Sequence, residues 1–154
     1  MIPISEALEI ITRETFPLSA ETIDLADSIG RVLAENIFAD SDLPPFDRSQ
    51  MDGFAVKSED VQNAPVKLTI VGESIAGKRW EGELNHGEAV RIMTGAALPI
   101  GADSVQRIEA TKEFNGFIEI LEATKIGQFF VKKSSEITNG KQVFEKGEII
   151  NEKM

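Results

Sequence analysis

The sequence predicts an α+β protein, mostly β, in which a small barrel or sandwich over about residues 45–137 interrupts a unit made from the two chain ends. Three observations carry that expectation. Runs at Val66–Gly72, Glu88–Met93, Ser104–Glu109 and Phe117–Leu121 carry the alternation of half-buried strands. Turn residues separate them at Ala76-Gly77, Asn85-His86-Gly87, Pro99-Ile100-Gly101, Asn115-Gly116 and Ile126-Gly127, spacing five or more short strands as in small barrels or sandwiches. The opening residues instead carry a helical period.

The elements follow in order. Ile4, Leu8 and Ile11 form one apolar stripe of a helix, with Pro3 in its first turn, Glu6 near its positive end and Phe16-Pro17 ending it. Thr22–Leu25 alternates like a short strand. Ala26–Ile29 reads as a turn of helix closed by Gly30, and Val32–Ala39 becomes a strand in its later half. The tail, Lys141–Ile150, reads as a hairpin around Lys146-Gly147. The first ~40 and last ~15 residues are each too short to bury a core alone and are expected to pair with each other or with a partner.

Composition narrows the function classes. The 154 residues hold 42% hydrophobic side chains, enough for a packed core. Twenty-six acidic against 16 basic residues leave a net charge of −10, which argues against general binding to nucleic acid or anionic membranes. With no cysteine, disulfides and thiolate metal sites are excluded. The start lacks the basic and apolar regions of a signal peptide, and no apolar run approaches the roughly 20 residues that span a bilayer. A soluble, cytoplasmic protein is expected.

Two loops concentrate polar chemistry. In Pro44-Pro45-Phe46-Asp47-Arg48-Ser49-Gln50-Met51-Asp52-Gly53, the prolines force an extended path and Gly53 allows a conformation or close approach that other residues resist. Asp47 and Asp52 on such a stiff loop suit Mg²⁺, a hard cation held by few carboxylates together with substrate phosphates. The same residue types also make Asx and Ser turns with their own backbone, and residue type alone leaves both readings open. In Arg91-Ile92-Met93-Thr94-Gly95-Ala96-Ala97-Leu98-Pro99-Ile100-Gly101, a strand ends in Thr-Gly. The Thr94 hydroxyl and neighbouring backbone donors suit an oxyanion, or Thr94 bonds locally within a turn. A P-loop is excluded, because the Gly-Lys-Ser/Thr ending is missing. Gly72-Glu73-Ser74-Ile75-Ala76-Gly77 is a third small-residue loop with a solvent-facing Glu73. Lys132-Lys133 suits either a phosphate or a solvated surface. Trp80 reads as half-buried packing, and the lone His86 leaves no zinc set and no Ser-His-Asp set.

Taken together and in this order, PPFDRSQMDGFAV, GESIAG and RIMTGAALPIGAD resemble the N-terminal half of the molybdopterin molybdenumtransferase family, which includes the gephyrin E domain. ISEALEII and LADSIGRVLAENIFA are similar to that family's start, so the resemblance covers essentially the whole chain. It implies an elongated pair of domains: a linker domain from residues 1–44 and 138–154, and a β-barrel-like domain inserted over 45–137. The family reaction inserts molybdate into adenylated molybdopterin with Mg²⁺ and releases AMP. The resemblance places Asp52 and Thr94 on the active-site aspartate and threonine, with Asp52 also the metal ligand. Ser49, Gly95, Lys132 and Lys133 are the further residues expected toward cofactor and substrate. The cleft would be shared with a later domain of the other subunit of a homodimer.

Two departures accompany the resemblance. Family members continue into an α/β pocket domain and a C-terminal β domain that these residues do not include, so the chain alone is expected to be catalytically silent. Where members read Val-Met-Gln-Glu, this chain has Gln106-Arg107-Ile108-Glu109. Where members end a basic run in Arg-Gly-Glu-Asp, it has Lys132-Lys133-Ser134-Ser135-Glu136. These changes leave a second reading, a truncated paralogue acting as a non-catalytic assembly module, and a third, an acidic β-barrel with an unrelated ligand.

Overall fold

A computed structural model describes residues 2–16 and 18–153. They form two compact units, Met1–Ile37 with Gln142–Met154, and Phe38–Lys141. No described helix is long and apolar enough to cross a membrane.

In the first unit, helix α1 spans Ile4–Glu14. Pro3 lies one position earlier than expected, at the N-cap, and its carbonyl accepts the Ala7 N–H at 3.0 Å. Glu6 and Arg13 sit at the helix ends whose partial charges they complement. Thr15 closes the last turn: its N–H and hydroxyl both donate to the Ile11 carbonyl, at 3.0 and 2.7 Å. Pro17, expected to end the helix, lies outside the described residues. None of the helix's residues is buried.

Thr22–Leu25 is not a strand, correcting the expectation from its alternation. Its last residue instead opens a 3-10 turn, Leu25–Asp27, and the Ser28 hydroxyl donates back to Leu25 at 2.7 Å. A strand needs a neighbour for its backbone groups, and no neighbour pairs with 22–25.

Among the described residues ten strands follow: β1 (Ile37–Phe38), β2 (Arg48–Ser49), β3 (Gly53–Val56), β4 (Val66–Ser74), β5 (Glu88–Ile92), β6 (Ser104–Arg107), β7 (Thr111–Phe114), β8 (Phe117–Ile120), β9 (Phe130–Val131) and β10 (Gln142–Phe144). The tail does not fold back on itself as the expected hairpin. β10 pairs with β1, and beyond the turn the Leu33 and Ile150 N–H groups donate to Glu148 and Arg31 at 2.9 and 2.8 Å. Most of the tail's cross-chain backbone bonds go to residues 30–38 rather than between its own arms, which meet only in the Glu148 N–H to Glu145 turn bond.

The second unit is built on a six-stranded sheet in the order β6-β3-β5-β4-β8-β7. Its neighbours are antiparallel except β4 and β5, which run parallel with a bulge between Ile70 and Gly72. The protein is mostly strand, as expected. β3 was not visible in the sequence, because Phe54-Ala55-Val56 is uniformly apolar. The structure shows why: all three are fully buried, Phe54 and Val56 in one core cluster with Val61, Leu68, Ile118 and Ile120, and Ala55 in a second with Val90, Ile92 and Val105. A strand covered on both faces shows no alternation. Gly53 is required where β3 meets β6, since a Cβ there would lie 2.0 Å from the Gln106 carbonyl oxygen. Trp80 is half-buried beside the second cluster and packs against Gly72 and Gly82.

The unusual residues at 106–107 are well accommodated. Gln106 is 1% exposed; its amide donates to the Glu122 carbonyl at 2.5 Å and its oxygen accepts the Arg107 N–H at 3.0 Å. Arg107 reaches the Glu122 carboxylate at 3.3 Å. Every described buried side-chain polar atom has a hydrogen-bond partner, the Gln106 amide included.

Candidate functional site

The site begins where β2 meets the loop after β5. The Ser49 N–H donates to the Ala96 carbonyl at 3.0 Å, the Gly95 N–H donates to the Ser49 carbonyl at 2.9 Å, and the Leu98 N–H donates to the Asp47 carbonyl at 2.8 Å. These bonds lay residues 95–98 along 47–49. Gly95 adopts φ +84°, the left-handed conformation that glycine takes without steric cost, and this turns the chain directly after Thr94. On the other side β2 pairs with β9, Ser49 opposite Phe130. The third small-residue loop joins the same assembly: the buried Ser74 hydroxyl donates to the Ala97 carbonyl at 2.8 Å, and the Met93 N–H donates to the Ser74 carbonyl at 3.2 Å.

Within this frame Asp52 and Thr94 meet. The Thr94 N–H and hydroxyl both donate to Asp52 Oδ1, at 2.7 and 2.8 Å. The backbone donor first, and the hydroxyl second, hold the Asp52 carboxyl below the usual carboxylate range. The donors expected to receive an external oxyanion thus hold the protein's own carboxylate, with both side chains open to solvent. Both donors converge on Oδ1 and leave Oδ2 out of the pair. The backbone behind is also fixed, because the Ile108 N–H donates to the Asp52 carbonyl at 2.9 Å.

The other expected residues divide into different roles. Asp47 makes a structural bond, its Oδ1 accepting the Lys133 N–H at 2.8 Å. Lys133 Nζ lies 3.2 Å from Asp42 Oδ2, and Asp42 is held below the usual carboxylate range by the Asn139 N–H first, then by Lys133 and Ser134. Lys132 and Lys133 are exposed just beyond β9. Ser49 is 2% exposed, and its hydroxyl donates to the Met51 carbonyl at 2.7 Å while accepting the Met51 N–H at 3.2 Å. His86 Nδ1 lies 2.8 Å from Asp60 Oδ1 at the surface. Glu73 is exposed, 3.8 Å from Arg91.

Two cavities flank the assembly. One of about 510 Å³ is lined by Phe46, Asp47, Leu98, Ile100 and Lys133 among others, and one of about 210 Å³ by Phe46, Ile75, Lys78, Arg79 and Ala97 among others. Neither is lined by Asp52 or Thr94. Among the described residues no group of three His, Cys, Asp or Glu could hold a metal ion. Asp52 therefore offers one hard oxygen ligand. That fits a magnesium ion carried mainly by substrate phosphates and water, and it does not make a cage.

A family model described as MoeA N-terminal region (domain I and II) matches residues 2–154. The molybdopterin molybdenumtransferase of Staphylococcus aureus (strain MSSA476) is 36% identical over 154 residues, covering 97% of this chain and 37% of the relative. That of Bacillus subtilis (strain 168) is 38% identical, covering 95% and 36%. The solved molybdopterin biosynthesis MoeA protein of Pyrococcus horikoshii OT3 matches with a TM-score of 0.89 at 32% identity, over 99% of this chain and 42% of that one. This chain therefore spans less than half the length of these relatives. With the Asp52–Thr94 pair held between the loops that carry the resemblance, the chain belongs to the MoeA N-terminal region family.

Proposed function

We propose that this chain supplies one wall of the active site of a molybdopterin molybdenumtransferase, in which molybdate is inserted into adenylated molybdopterin and AMP is released. The observation that carries the reading is the double hydrogen bond from Thr94 to Asp52 Oδ1. It keeps Asp52 ionised and fixes its direction, leaving Oδ2 as the oxygen that would hold a cation. Mg²⁺ in that position would neutralise phosphate charge as the AMP leaves. Thr94 orients the carboxylate, and its hydroxyl oxygen remains an acceptor. Gly95 lets the turn approach the substrate, and Lys132 adds positive charge nearby. Residues 1–44 and 138–154 act as linker domain and 45–137 as the inserted domain, in a cytoplasmic homodimer whose other subunit completes the cleft.

Alone, the chain is catalytically silent in this reading, because Asp52 and Thr94 lie open to solvent and a later domain is expected to close the cleft over them. The test measures AMP release from adenylated molybdopterin with molybdate and Mg²⁺. This chain alone should give none, and a mixture with the C-terminal part of a relative should turn over. Asp52→Asn in that mixture should slow release by about 10²–10³-fold, the usual scale for removing one electrostatic contributor. AMP release by the chain alone would refute the silence, and an unaffected Asp52→Asn mixture would refute the role of the pair.

A second reading, an assembly module without chemistry, is favoured by the exposed stripe of Ile4, Leu8 and Ile11 on α1. It predicts binding to a full-length relative with no turnover in any mixture.

A further inference from the structure

Ser49 entered as a candidate ligand residue, yet its surroundings assign it different work. Its side chain is 2% exposed, and both hydrogen-bonding capacities of its hydroxyl go to one residue. The hydroxyl donates to the Met51 carbonyl at 2.7 Å and accepts the Met51 N–H at 3.2 Å. The Met51 carbonyl belongs to the peptide plane that carries the Asp52 nitrogen, so fixing that oxygen fixes the orientation from which the Asp52 side chain departs. The backbone of the same residue bonds in the other direction. Its carbonyl accepts the Gly95 N–H at 2.9 Å and its N–H donates to the Ala96 carbonyl at 3.0 Å, which holds the turn that follows Thr94. One buried residue thus grips both halves of the 2.7–2.8 Å Asp52–Thr94 contact, by its side chain on one side and by its backbone on the other.

We infer that Ser49 is a positioning residue that sets the Asp52–Thr94 pair by clamping the Met51–Asp52 peptide against the Thr94-Gly95-Ala96 turn, and that it does not itself touch substrate. The inference rests on the proposed role of that pair in the transferase reaction. Replacing the hydroxyl leaves the backbone half of the clamp and removes the half that orients Asp52. A peptide plane free to rotate carries the carboxylate away from two donors that need it within about 3 Å, so the effect concentrates at Thr94.

The test is amide NMR on this chain, reading the exchange rate and proton shift of the Thr94 N–H that donates to Asp52. Ser49→Ala should speed Thr94 exchange by roughly tenfold, the scale of one lost hydrogen bond, and move its proton shift upfield. The Ser58 and Lys133 amides should keep their rates, since they donate to Asp103 and Asp47 and report on the rest of the unit. Ser49→Thr, which restores a hydroxyl, should restore the Thr94 signal. If the alanine variant does not fold, Ser49→Cys, similar in size with a weaker donor, carries the same readout. Unchanged Thr94 exchange in a folded Ser49→Ala or Ser49→Cys variant overturns the inference, and so does an equal acceleration at Ser58, Lys133 and Thr94. Asp52→Asn separates this outcome from the functional reading. If it perturbs the Thr94 amide while Ser49→Ala does not, the pair exists without the clamp. If the Ser49 variants behave as expected but AMP release ignores Asp52→Asn, the clamp stands and the proposed role of the pair fails.

Discussion

The two units use apolar residues in opposite ways. Among the described residues every buried apolar side chain lies in the unit Phe38–Lys141, from Pro44 to Ile120. Of its described residues, the unit of Met1–Ile37 and Gln142–Met154 buries only Ser28, and it leaves Ile4, Leu8, Phe16, Leu18 and Leu25 more than half exposed. The difference is one of chain length and partnership rather than composition. A sheet of six strands can stack apolar residues on both faces and close two clusters, whereas one helix and a two-stranded pairing have too little surface of their own to enclose anything. The end unit is held by backbone bonds such as Gly30 N–H to Ile150 and Leu33 N–H to Glu148, whereas burial shapes the inserted one.

The sharpest way to break that comparison is to cut into the inserted core. Phe54→Ala removes a fully buried ring from β3, second from one edge of the six-stranded sheet, and should cost about 4 kcal/mol, read as a lowered midpoint in urea; a cost below about 1 kcal/mol would contradict the burial assigned to β3. Acid acts at the rim of the same unit with a smaller effect. Asp42 and Asp52 are both held below the usual carboxylate range, so their contributions are present above the ordinary Asp pKa and disappear as pH falls through the lowered folded values. Thr94→Val removes the hydroxyl donor and should raise the Asp52 midpoint toward the ordinary value without reaching it, because the Thr94 N–H stays; a carboxyl ¹³C titration would show it, and an unmoved midpoint would remove the pair's basis. The smallest effect belongs to the end unit. Leu8→Ala on α1, 58% exposed, should change stability by less than about 0.5 kcal/mol, and a large loss on thermal melting would show that this face is covered in solution.

The same contrast explains what was legible in the residues. β4 and β8 were readable because each alternates, with one face more buried than the other; β5 is buried on both faces but is bounded by turn residues at 85–87 and 94–95. β3 was missed because burial on both faces erases the alternation, and β2 and β9, two residues each, are too short to carry any period. Thr22–Leu25 and the tail around Lys146-Gly147 misled for the opposite reason, since alternation and turn residues say nothing about which neighbour accepts the backbone bonds. At the site, Asp52, Thr94 and Gly53 were visible as motif residues in ordered loops. The partners of Asp47, Ser49 and Lys133 were not legible in sequence: all three are polar residues in turn-rich stretches, and only the fold brings them to the Lys133 N–H, Met51 and Asp42.

Local order in this chain follows from residue type: prolines that hold 44–45 extended, glycines that allow a left-handed turn after Thr94 or a close approach at Gly53, and apolar periods that make α1 and the longer strands. Those preferences act over a few residues and need no knowledge of the rest. Pairing was decided by the tertiary structure, because each donor takes whichever acceptor the fold brings within reach. Asp52 and Thr94, 42 positions apart, meet through two direct hydrogen bonds, a relation that no spacing in the sequence encodes.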